Sequence, residues 1–256
     1  MSENLVIIPT YNESENIARL IPTIMGLEPR FDVLVVDDHS PDGTAQIVRE
    51  LQRQYPERLH LIERKGKLGL GTAYIEGFRF GLARPYHFIY EMDADFSHDP
   101  ADLPRLMHHA RNDSDLVIGS RYIRGGGVEN WPTNRLLLSR GASIYVRLIT
   151  GMPIKDPTAG FVCFRRKVLE TIDLEKIQFI GYAFQIEMKY AAYSLGFRLK
   201  EIPIIFRDRI EGSSKMSKKI IREAITGVLK IKLNSFKRNY YRKPSLTASQ
   251  PKAPQP

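Results

Sequence analysis

The stretch LVIIPTYNE, residues 5–13, places a short apolar run directly before a polar turn. A short apolar run bounded by turn residues predicts a buried strand, and apolar residues at helical spacing up to about Met25 predict a following helix. We expect Asn12 to cap this helix, with Glu15 three residues later completing a capping box. Strand, polar turn and helix in this order form the repeating unit of a parallel sheet.

The same unit recurs through the first half of the chain. Further apolar runs, each predicting a strand, lie at residues 33–36, 59–62, 88–92 and 116–118. Helical patterns separate them at residues 44–55, 72–82 and 101–111. This alternation predicts an α/β domain with a Rossmann-like, mostly parallel sheet and helices on both faces. Beyond Gly119 we expect helices at residues 135–150 and 183–195, and strands at residues 162–164 and 199–206.

Composition excludes several classes of protein. A chain of 256 residues with 43% hydrophobic residues can bury a sizeable core, so it is not wholly disordered. The single cysteine, Cys163, excludes an intrachain disulfide and a cysteine-built zinc site, and it fits a reducing compartment and a core position. Residues 1–13 lack the pattern of a signal peptide, and no apolar stretch is long enough to span a membrane. These features predict a cytoplasmic location.

Polar residues follow four of the predicted strands. The first strand runs into residues 9–13, the second into residues 37–43, the fourth into residues 93–95 and the fifth into residues 119–122. Ligands of a parallel sheet bind beyond the carboxyl ends of its strands, and these ends share one edge. The sequence therefore predicts a binding site at this edge.

Asp93 and Asp95 flank one small residue, Ala94, directly after the fourth predicted strand. Residues two apart in an extended chain point the same way, so the two carboxylates would offer oxygen ligands together. Such a site suits Mg²⁺ or Mn²⁺, which usually also binds substrate phosphates. For two aspartates taken alone, a polar turn without a metal is the plain alternative.

These motifs resemble a known family. VIIPTYNE, VVDDHSPDGT, MDADFSHDP and GSRY are similar to the family 2 glycosyltransferases, which have the GT-A fold. NRLLLSRGAS, DPTAGF, FQIE and FRDRIEGSSKM extend the resemblance to the polyprenol-phosphate (dolichol-phosphate) mannosyltransferases, over about residues 4–218. The resemblance implies metal-dependent transfer of mannose from GDP-mannose to the phosphate of a polyprenyl or dolichyl phosphate, with inversion. A glucosyltransferase that uses UDP-glucose stays the alternative, since it shares most of these motifs.

The resemblance also assigns roles to residues. The donor-binding positions are Pro9, Tyr11, Glu13, Asp37, Asp38, Asp93, Ala94, Asp95, Arg207 and Lys215. The acceptor-phosphate positions are Arg121, Arg135 and Ser139, and the catalytic positions are Asp95, Arg121, Asp156 and Gln185. Asp93 and Asp95 are the implied metal ligands; the archaeal-like pattern has a glutamine where this chain has Ser97, so water would replace that ligand. We expect Gln185 and Glu187 to lie near the sugar, and Asp156 to bind a sugar hydroxyl or to orient the acceptor.

The net charge of +9 lies at the C-terminal end of the chain. Residues 212–243 contain ten basic residues and one acidic residue, whereas residues 1–211 are close to neutral. Within residues 217–233 an apolar stripe at helical spacing runs beside these basic residues, which is typical of a helix on an anionic membrane surface. We therefore predict a GT-A catalytic domain at residues 1–211, a membrane-surface segment at residues 212–243 and a disordered tail at residues 244–256.

The expected partners follow from this division. The enzyme would bind the cytoplasmic face of a membrane, where its lipid acceptor lies, and a membrane partner subunit stays an open question. A basic nucleic-acid-binding protein is the alternative from a different class, since the pI is about 9.6. It leaves the acidic strand ends unexplained, so we expect no nucleic acid as a partner. A catalytically silent lipid-binding module would not need the two aspartates and the acceptor arginines.

Overall fold

The computed structural model describes residues 2–181, 183–208, 218–235 and 241–242. Strands and helices alternate within them, as the sequence predicts. The strands are β1 Asn4–Thr10, β2 Asp32–Asp37, β3 Leu59–Glu63, β4 Phe88–Glu91, β5 Leu116–Ser120, β6 Gly127–Glu129, β7 Val162–Arg165, β8 Leu199–Pro203 and β9 Ile205–Arg207. The helices are α1 Ser14–Met25, α2 Thr44–Gln52, α3 Leu70–Leu82, α4 Leu103–Asn112, α5 Thr133–Thr150, α6 Arg166–Thr171, α7 Ala183–Ser194 and α8 Lys218–Ser235.

The main sheet has seven strands in the order β3-β2-β1-β4-β7-β5-β8. All neighbouring pairs are parallel except those of β7, which runs antiparallel to both β4 and β5. The predicted mostly parallel sheet is therefore confirmed. Its parallel strands bring their carboxyl ends to one edge.

Helices cover both faces of the sheet. Leu5 and Ile7 of β1 pack into one hydrophobic cluster with residues of α3 and α7. Val6 and Ile8 pack into the other cluster with residues of α1, α2 and α4. Because neighbouring residues of β1 enter opposite clusters, residues 5–8 are apolar throughout. Cys163 is fully buried in β7, as expected for a core residue.

The predicted strand at residues 199–206 is in fact two strands. β8 ends at Pro203 and pairs with β5, whereas β9 pairs with β6 in a separate two-stranded parallel sheet. Ile204 lies between them and donates its N–H to Ser120 O at the end of β5. Proline has no N–H to continue a ladder, so the chain changes sheets directly after it.

The predicted capping box of α1 is wrong. The helix begins at Ser14 and has no side-chain cap, and Asn12 has a φ of 59°. The first amides bind the loop after β2 instead: Glu13 N–H donates to Thr44 Oγ1 at 3.0 Å, and Ser14 N–H donates to Asp42 Oδ2 at 3.0 Å. The helix start is satisfied by a tertiary contact between two loops, which a local pattern cannot reveal.

The C-terminal helix α8 lies where the sequence predicts a helix, and it packs against α5 and α7. Val228 and Ile231 are buried, whereas Leu229 and Leu233 are exposed. Among the helices of the described residues, none is both long and apolar enough to cross a bilayer. Tyr241 is buried after α8 and donates its hydroxyl to Glu187. The predicted tail at residues 244–256 lies outside the described residues.

Candidate active site

The loops after β1, β2 and β4 lie side by side, because these three parallel strands are neighbours in the sheet. They carry the predicted donor-binding residues at positions 9–13, 37–38 and 93–95. β5 ends at the same edge but is separated from β4 by β7. The structure thus gathers the four polar strand ends at one edge, with the end of β5 set one strand apart.

The Asp37 carboxylate holds two of these loops together. It is buried and accepts hydrogen bonds from Thr10 Oγ1 at 2.8 Å and from Ser40 N–H and Oγ at 2.9 Å and 2.6 Å. In this arrangement the contacts of Asp37 are internal to the loops after β1 and β2. Asp37 therefore holds the loops after β1 and β2 in a fixed arrangement.

Asp38 lies next to a buried arginine that the sequence analysis did not single out. Arg64 Nε lies 2.7 Å from Asp38 Oδ1, and both side chains are nearly enclosed. Arg64 Nη1 also donates to Thr72 Oγ1 at 2.9 Å, at the start of α3. Burial raises the pKa of Asp38 and the Asp37 charge adds to this, while Arg64 opposes it. Arg64 therefore fixes both Asp38 and the N-terminal end of α3.

The remaining residues of the first loop border this region. Tyr11 is exposed, and Lys67 Nζ lies 4.2 Å from the centre of its ring. Glu13 accepts a hydrogen bond from Asn16 Nδ2 at 2.8 Å, and Pro9 is half-buried in β1. An exposed aromatic ring beside buried carboxylates provides a stacking surface and hydrogen-bond acceptors in one place.

Asp93 and Asp95 lie in a bend after β4, so the chain is not extended there as the sequence argument assumes. Ala94 between them is buried, and Asp95 Oδ1 accepts the Ser97 N–H at 3.0 Å. His98 is also buried, and its Nδ1 accepts the Asp93 N–H at 3.3 Å. Burial lowers the pKa of His98 although both aspartates raise it, which suits a neutral acceptor. Ser97 therefore fixes the Asp95 carboxylate and His98 fixes the backbone of Asp93; we call residues 93–98 the acidic bend.

Arg121 and Asp156 form a buried, two-pronged ion pair. Arg121 Nε and Nη2 donate to the two carboxylate oxygens at 2.7 Å and 2.6 Å, and the Arg121 N–H donates at 3.0 Å. Arg121 Nη2 also donates to Thr158 Oγ1 at 2.8 Å. Burial raises the pKa of Asp156, but the charge and hydrogen bonds of Arg121 together lower it by more. The pKa of Asp156 is therefore below its usual value. Asp156 thus orients Arg121, while its expected roles toward the sugar or the acceptor stay predictions.

The three predicted acceptor-phosphate residues gather around two aromatic rings. The Arg121 guanidinium lies 5.1 Å from the Tyr122 ring and 5.6 Å from the Trp131 ring, and Arg135 lies 4.1 Å from the Trp131 ring. Tyr122 OH donates to Ser139 Oγ at 2.7 Å. Arg135 Nη1 also pairs with Asp208 Oδ2 at 2.7 Å. We call Arg121, Arg135 and Ser139 the arginine cluster.

The arginine cluster adjoins the acidic bend. The Phe206 ring lies 5.5 Å from the His98 ring and 5.6 Å from the Arg121 guanidinium. A Cβ added to Gly160 would lie 3.7 Å from Asp93 Oδ2 and from His98 Cε1. The loop that carries Asp156 therefore touches the acidic bend. The anionic side of the site, at the acidic bend, lies next to its cationic side, at the arginine cluster.

Gln185 and Glu187 contact different parts of the protein. Residues two apart on a helix lie on different faces. The Gln185 side chain is buried and its Oε1 accepts from Lys189 Nζ at 3.0 Å. Glu187 is fully buried and accepts the amides of Gln178 and Phe179 at 2.8 Å and 3.0 Å. The Glu187 carboxylate thus holds a loop, and the expectation that both residues lie near the sugar stays a prediction.

Arg207 lies in β9 and forms ion pairs with Asp99 Oδ2 at 3.3 Å and with Glu129 Oε2 at 3.2 Å. Neither partner belongs to the predicted donor-binding set, but the Arg207 N–H donates to Ser97 O at 3.2 Å, so Arg207 lies beside the acidic bend. Lys215 lies outside the described residues. The sequence analysis also missed three buried polar residues that contact this region, Arg64, His98 and Lys189. His98 lies within the motif MDADFSHDP and Lys189 lies two residues after FQIE, whereas Arg64 lies outside the quoted motifs.

Comparison with known proteins agrees with this geometry. The model of the family described as glycosyl transferase family 2 matches residues 5–173. The chain is 48% identical over 221 residues to polyprenol monophosphomannose synthase of Mycolicibacterium smegmatis, covering 86% of this chain and 83% of the relative. It is 46% identical over 224 residues to undecaprenyl-phosphate mannosyltransferase of Micrococcus luteus, covering 88% and 91%.

A solved structure shares the fold at low sequence identity. Glucosyl-3-phosphoglycerate synthase of Mycobacterium tuberculosis is similar with a TM-score of 0.66 and 17% identity, over 89% of this chain and 79% of that chain. The family match spans the acidic bend, the arginine cluster and Asp156, and the two relatives cover most of the chain. The chain belongs to glycosyltransferase family 2, as the motifs predict.

Proposed function

We propose that this enzyme transfers mannose from GDP-mannose to the phosphate of a polyprenyl or dolichyl phosphate, giving the lipid-phosphate mannose and GDP with inversion. The observation that carries the proposal is the arginine cluster beside the acidic bend: two guanidinium groups and a hydroxyl offer donors to a phosphate. The two relatives support the substrates, because both names join mannose to a polyprenol or undecaprenyl phosphate.

The donor nucleoside would bind at the ends of β1 and β2. The Asp38 carboxylate can accept hydrogen bonds from ribose hydroxyls or guanine N–H groups, and Arg64 fixes its orientation from the side that faces α3. The exposed Tyr11 ring offers a face on which a base can stack. Asp37 would act by shaping this loop pair.

The acidic bend fits a divalent cation such as Mg²⁺ or Mn²⁺. Asp93 and Asp95 supply hard oxygen ligands, and Ser97 Oγ is buried without a hydrogen-bond partner among the described residues. Asp93 and Asp95 would hold the ion, with phosphate oxygens and water completing its shell. When bound, such an ion neutralises charge that develops on the departing diphosphate.

The acceptor needs positioning more than deprotonation, because a lipid phosphate is already an anion near neutral pH. Arg121 and Arg135 would hold the phosphate in line with the sugar carbon. Asp156 uses both carboxylate oxygens to set the plane of the Arg121 guanidinium. Gln185 is buried against Lys189, so its contribution would come through Lys189.

We also propose that the enzyme works as a GT-A catalytic domain at residues 1–211 followed by a segment at residues 212–243 that binds the cytoplasmic face of a membrane. The helix α5, which carries Arg135 and Ser139 near its start, exposes Leu137, Ile144 and Leu148 along one side. α8 packs on α5 and exposes Leu229 and Leu233. Apolar side chains beside basic residues suit an anionic lipid surface. In α5 the exposed apolar side chains lie on the same helix as Arg135 and Ser139 of the arginine cluster.

The donor is tested by incubating the purified chain with polyprenyl phosphate, Mg²⁺ and either GDP-mannose or UDP-glucose, and by measuring the released nucleotide. We expect GDP release that depends on the lipid phosphate and requires no added membrane protein. Release of UDP but not GDP would make the enzyme a glucosyltransferase. Activity only with added membrane extract would indicate a membrane partner subunit.

A further inference from the structure

Lys189 is a fully buried lysine in the middle of α7, where residues Ala183 to Ala192 are all buried. A buried ammonium is costly unless its donors are satisfied. Lys189 Nζ donates to Ala159 O at 2.7 Å, to Gln185 O at 3.1 Å and to Gln185 Oε1 at 3.0 Å. These three bonds match the three protons of an ammonium group. The side chain is therefore built into the interior and points at one loop.

The loop of residues 156–160 lies between α5 and β7, and Asp156 is its first residue. The Asp156 N–H donates to Glu201 Oε1 at 2.8 Å, which fixes the start of the loop to β8. Lys189 binds Ala159 O and so fixes the end of the loop to α7. Asp156 can hold Arg121 in one orientation only if both ends of its loop are fixed.

The same loop borders the acidic bend, and the charges around Lys189 match this position. Gly160, next to Ala159, lies beside Asp93: a Cβ added to Gly160 would lie 3.7 Å from Asp93 Oδ2. Glu91, the last residue of β4, is fully buried two residues before Asp93. Burial lowers the pKa of Lys189, while the carboxylates of Glu91 and Asp156 raise it. Lys189 is thus a buried group bonded to the loop that runs from Asp156 to Gly160.

We propose that Lys189 is a positioning residue for the transfer reaction: through Ala159 it holds the loop 156–160 so that Asp156 keeps Arg121 directed at the acceptor phosphate. The proposal rests on the function proposed above for this site. Lys189 touches no substrate in this role. Its effect on the reaction passes through the loop, and the nucleoside region around Asp38 and Arg64 lies outside its contacts.

The test replaces Lys189 with a neutral side chain of similar length. Lys189→Met should lower kcat by about 10- to 100-fold, the usual effect of losing a residue that orients a site. It should also raise KM for polyprenyl phosphate, while Kd for GDP measured without metal changes by less than about twofold. Lys200→Met is the matched control, because Lys200 pairs with Asp113 on the surface, and its kcat should equal that of the parent enzyme.

A double variant separates positioning from stability. Glu91 and Lys189 are both buried ionisable groups, and replacing such groups together with apolar side chains is often neutral for folding, so Glu91→Met/Lys189→Met should recover the Tm that Lys189→Met loses. Its kcat should stay low, whereas Glu91→Met alone should keep kcat within about threefold, since Ala159 remains bound.

Two results would overturn the proposal: parent-like kcat in Lys189→Met, or parent-like kcat in the double variant. An absence of mannose transfer in the parent enzyme would instead refute the proposed function and leave the loop contact unaffected.

Discussion

The substitution Asp156→Asn tests the ion pair on which the arginine cluster depends. Asp156 is fully buried, the Arg121 side chain is 10% exposed, and two guanidinium nitrogens bind the two carboxylate oxygens. Asparagine keeps the size and one acceptor oxygen but removes the charge. Its amide nitrogen would then face a guanidinium N–H group, so one donor in the pair would lose its acceptor.

Breaking a buried pair by removing one partner costs about 3–5 kcal/mol, and the oxygen that asparagine retains puts this variant near the lower end, at about 3 kcal/mol. For a chain of this size each kcal/mol shifts Tm by about 2–4 °C, so we expect a decrease of about 6–12 °C. A misdirected Arg121 should also lower kcat/KM for polyprenyl phosphate by about 100-fold.

The assay is thermal unfolding together with steady-state transfer, and the control is Asp113→Asn. Asp113 binds Lys200 Nζ at 2.6 Å on the surface, so its loss should leave Tm and transfer unchanged within error. Because the pKa of Asp156 is lowered in the folded state, its contribution to stability is present above its ordinary pKa of 3.8 and is lost as the pH falls below that value. The stability difference between parent and variant should therefore shrink below about pH 4. Equal Tm values for the two variants at neutral pH would refute the reasoning.

Three further predictions concern other parts of the molecule. Asp95→Ala should abolish turnover with an unchanged circular dichroism spectrum, and full activity in this variant would refute the metal assignment. Gly71→Ala should cost about 1–3 kcal/mol in urea unfolding, because the new Cβ would lie 2.7 Å from Phe184 Cδ2, whereas Gly66→Ala meets nothing within 4 Å. Equal stability of the two alanine variants would contradict this packing. Deleting residues 218–256 should weaken binding to anionic vesicles, and unchanged sedimentation would refute the docking role.

Much of the fold could be predicted because buried parallel strands leave a plain signal. Residues of β1 enter both hydrophobic clusters in alternation, so the strand is a continuous apolar run with polar residues at its end. Strand direction has no such signal, and β7, which is as apolar as its neighbours, runs antiparallel between β4 and β5. β6 spans only Gly127–Glu129 and is partly exposed, so no pattern marked it as a strand.

The site could be predicted where a characteristic residue type stands at the end of a predicted strand or on one face of a predicted helix. The aspartates after β2 and β4 and the arginine cluster lie where the motifs indicate, because strand ends and helix spacing fix them. Arg64 was missed because it stands in the charged run ERKGK, which looks like a solvated loop; only its ion pair with Asp38 buries it. Lys189 was missed for a related reason. Lys189 lies four residues after Gln185, so the two share one face of α7. This spacing does not reveal that Lys189 binds Ala159, which lies 30 residues away in the chain.

The central claim is that the sugar is transferred to the phosphate of a lipid. The most direct measurement is the structure of the lipid product, formed from GDP-mannose and polyprenyl phosphate and analysed by mass spectrometry and NMR. We predict one added hexose, linked through the phosphate oxygen to the anomeric carbon with configuration inverted from that of the donor. A retained configuration, a sugar attached elsewhere, or free mannose as the only product would contradict the account.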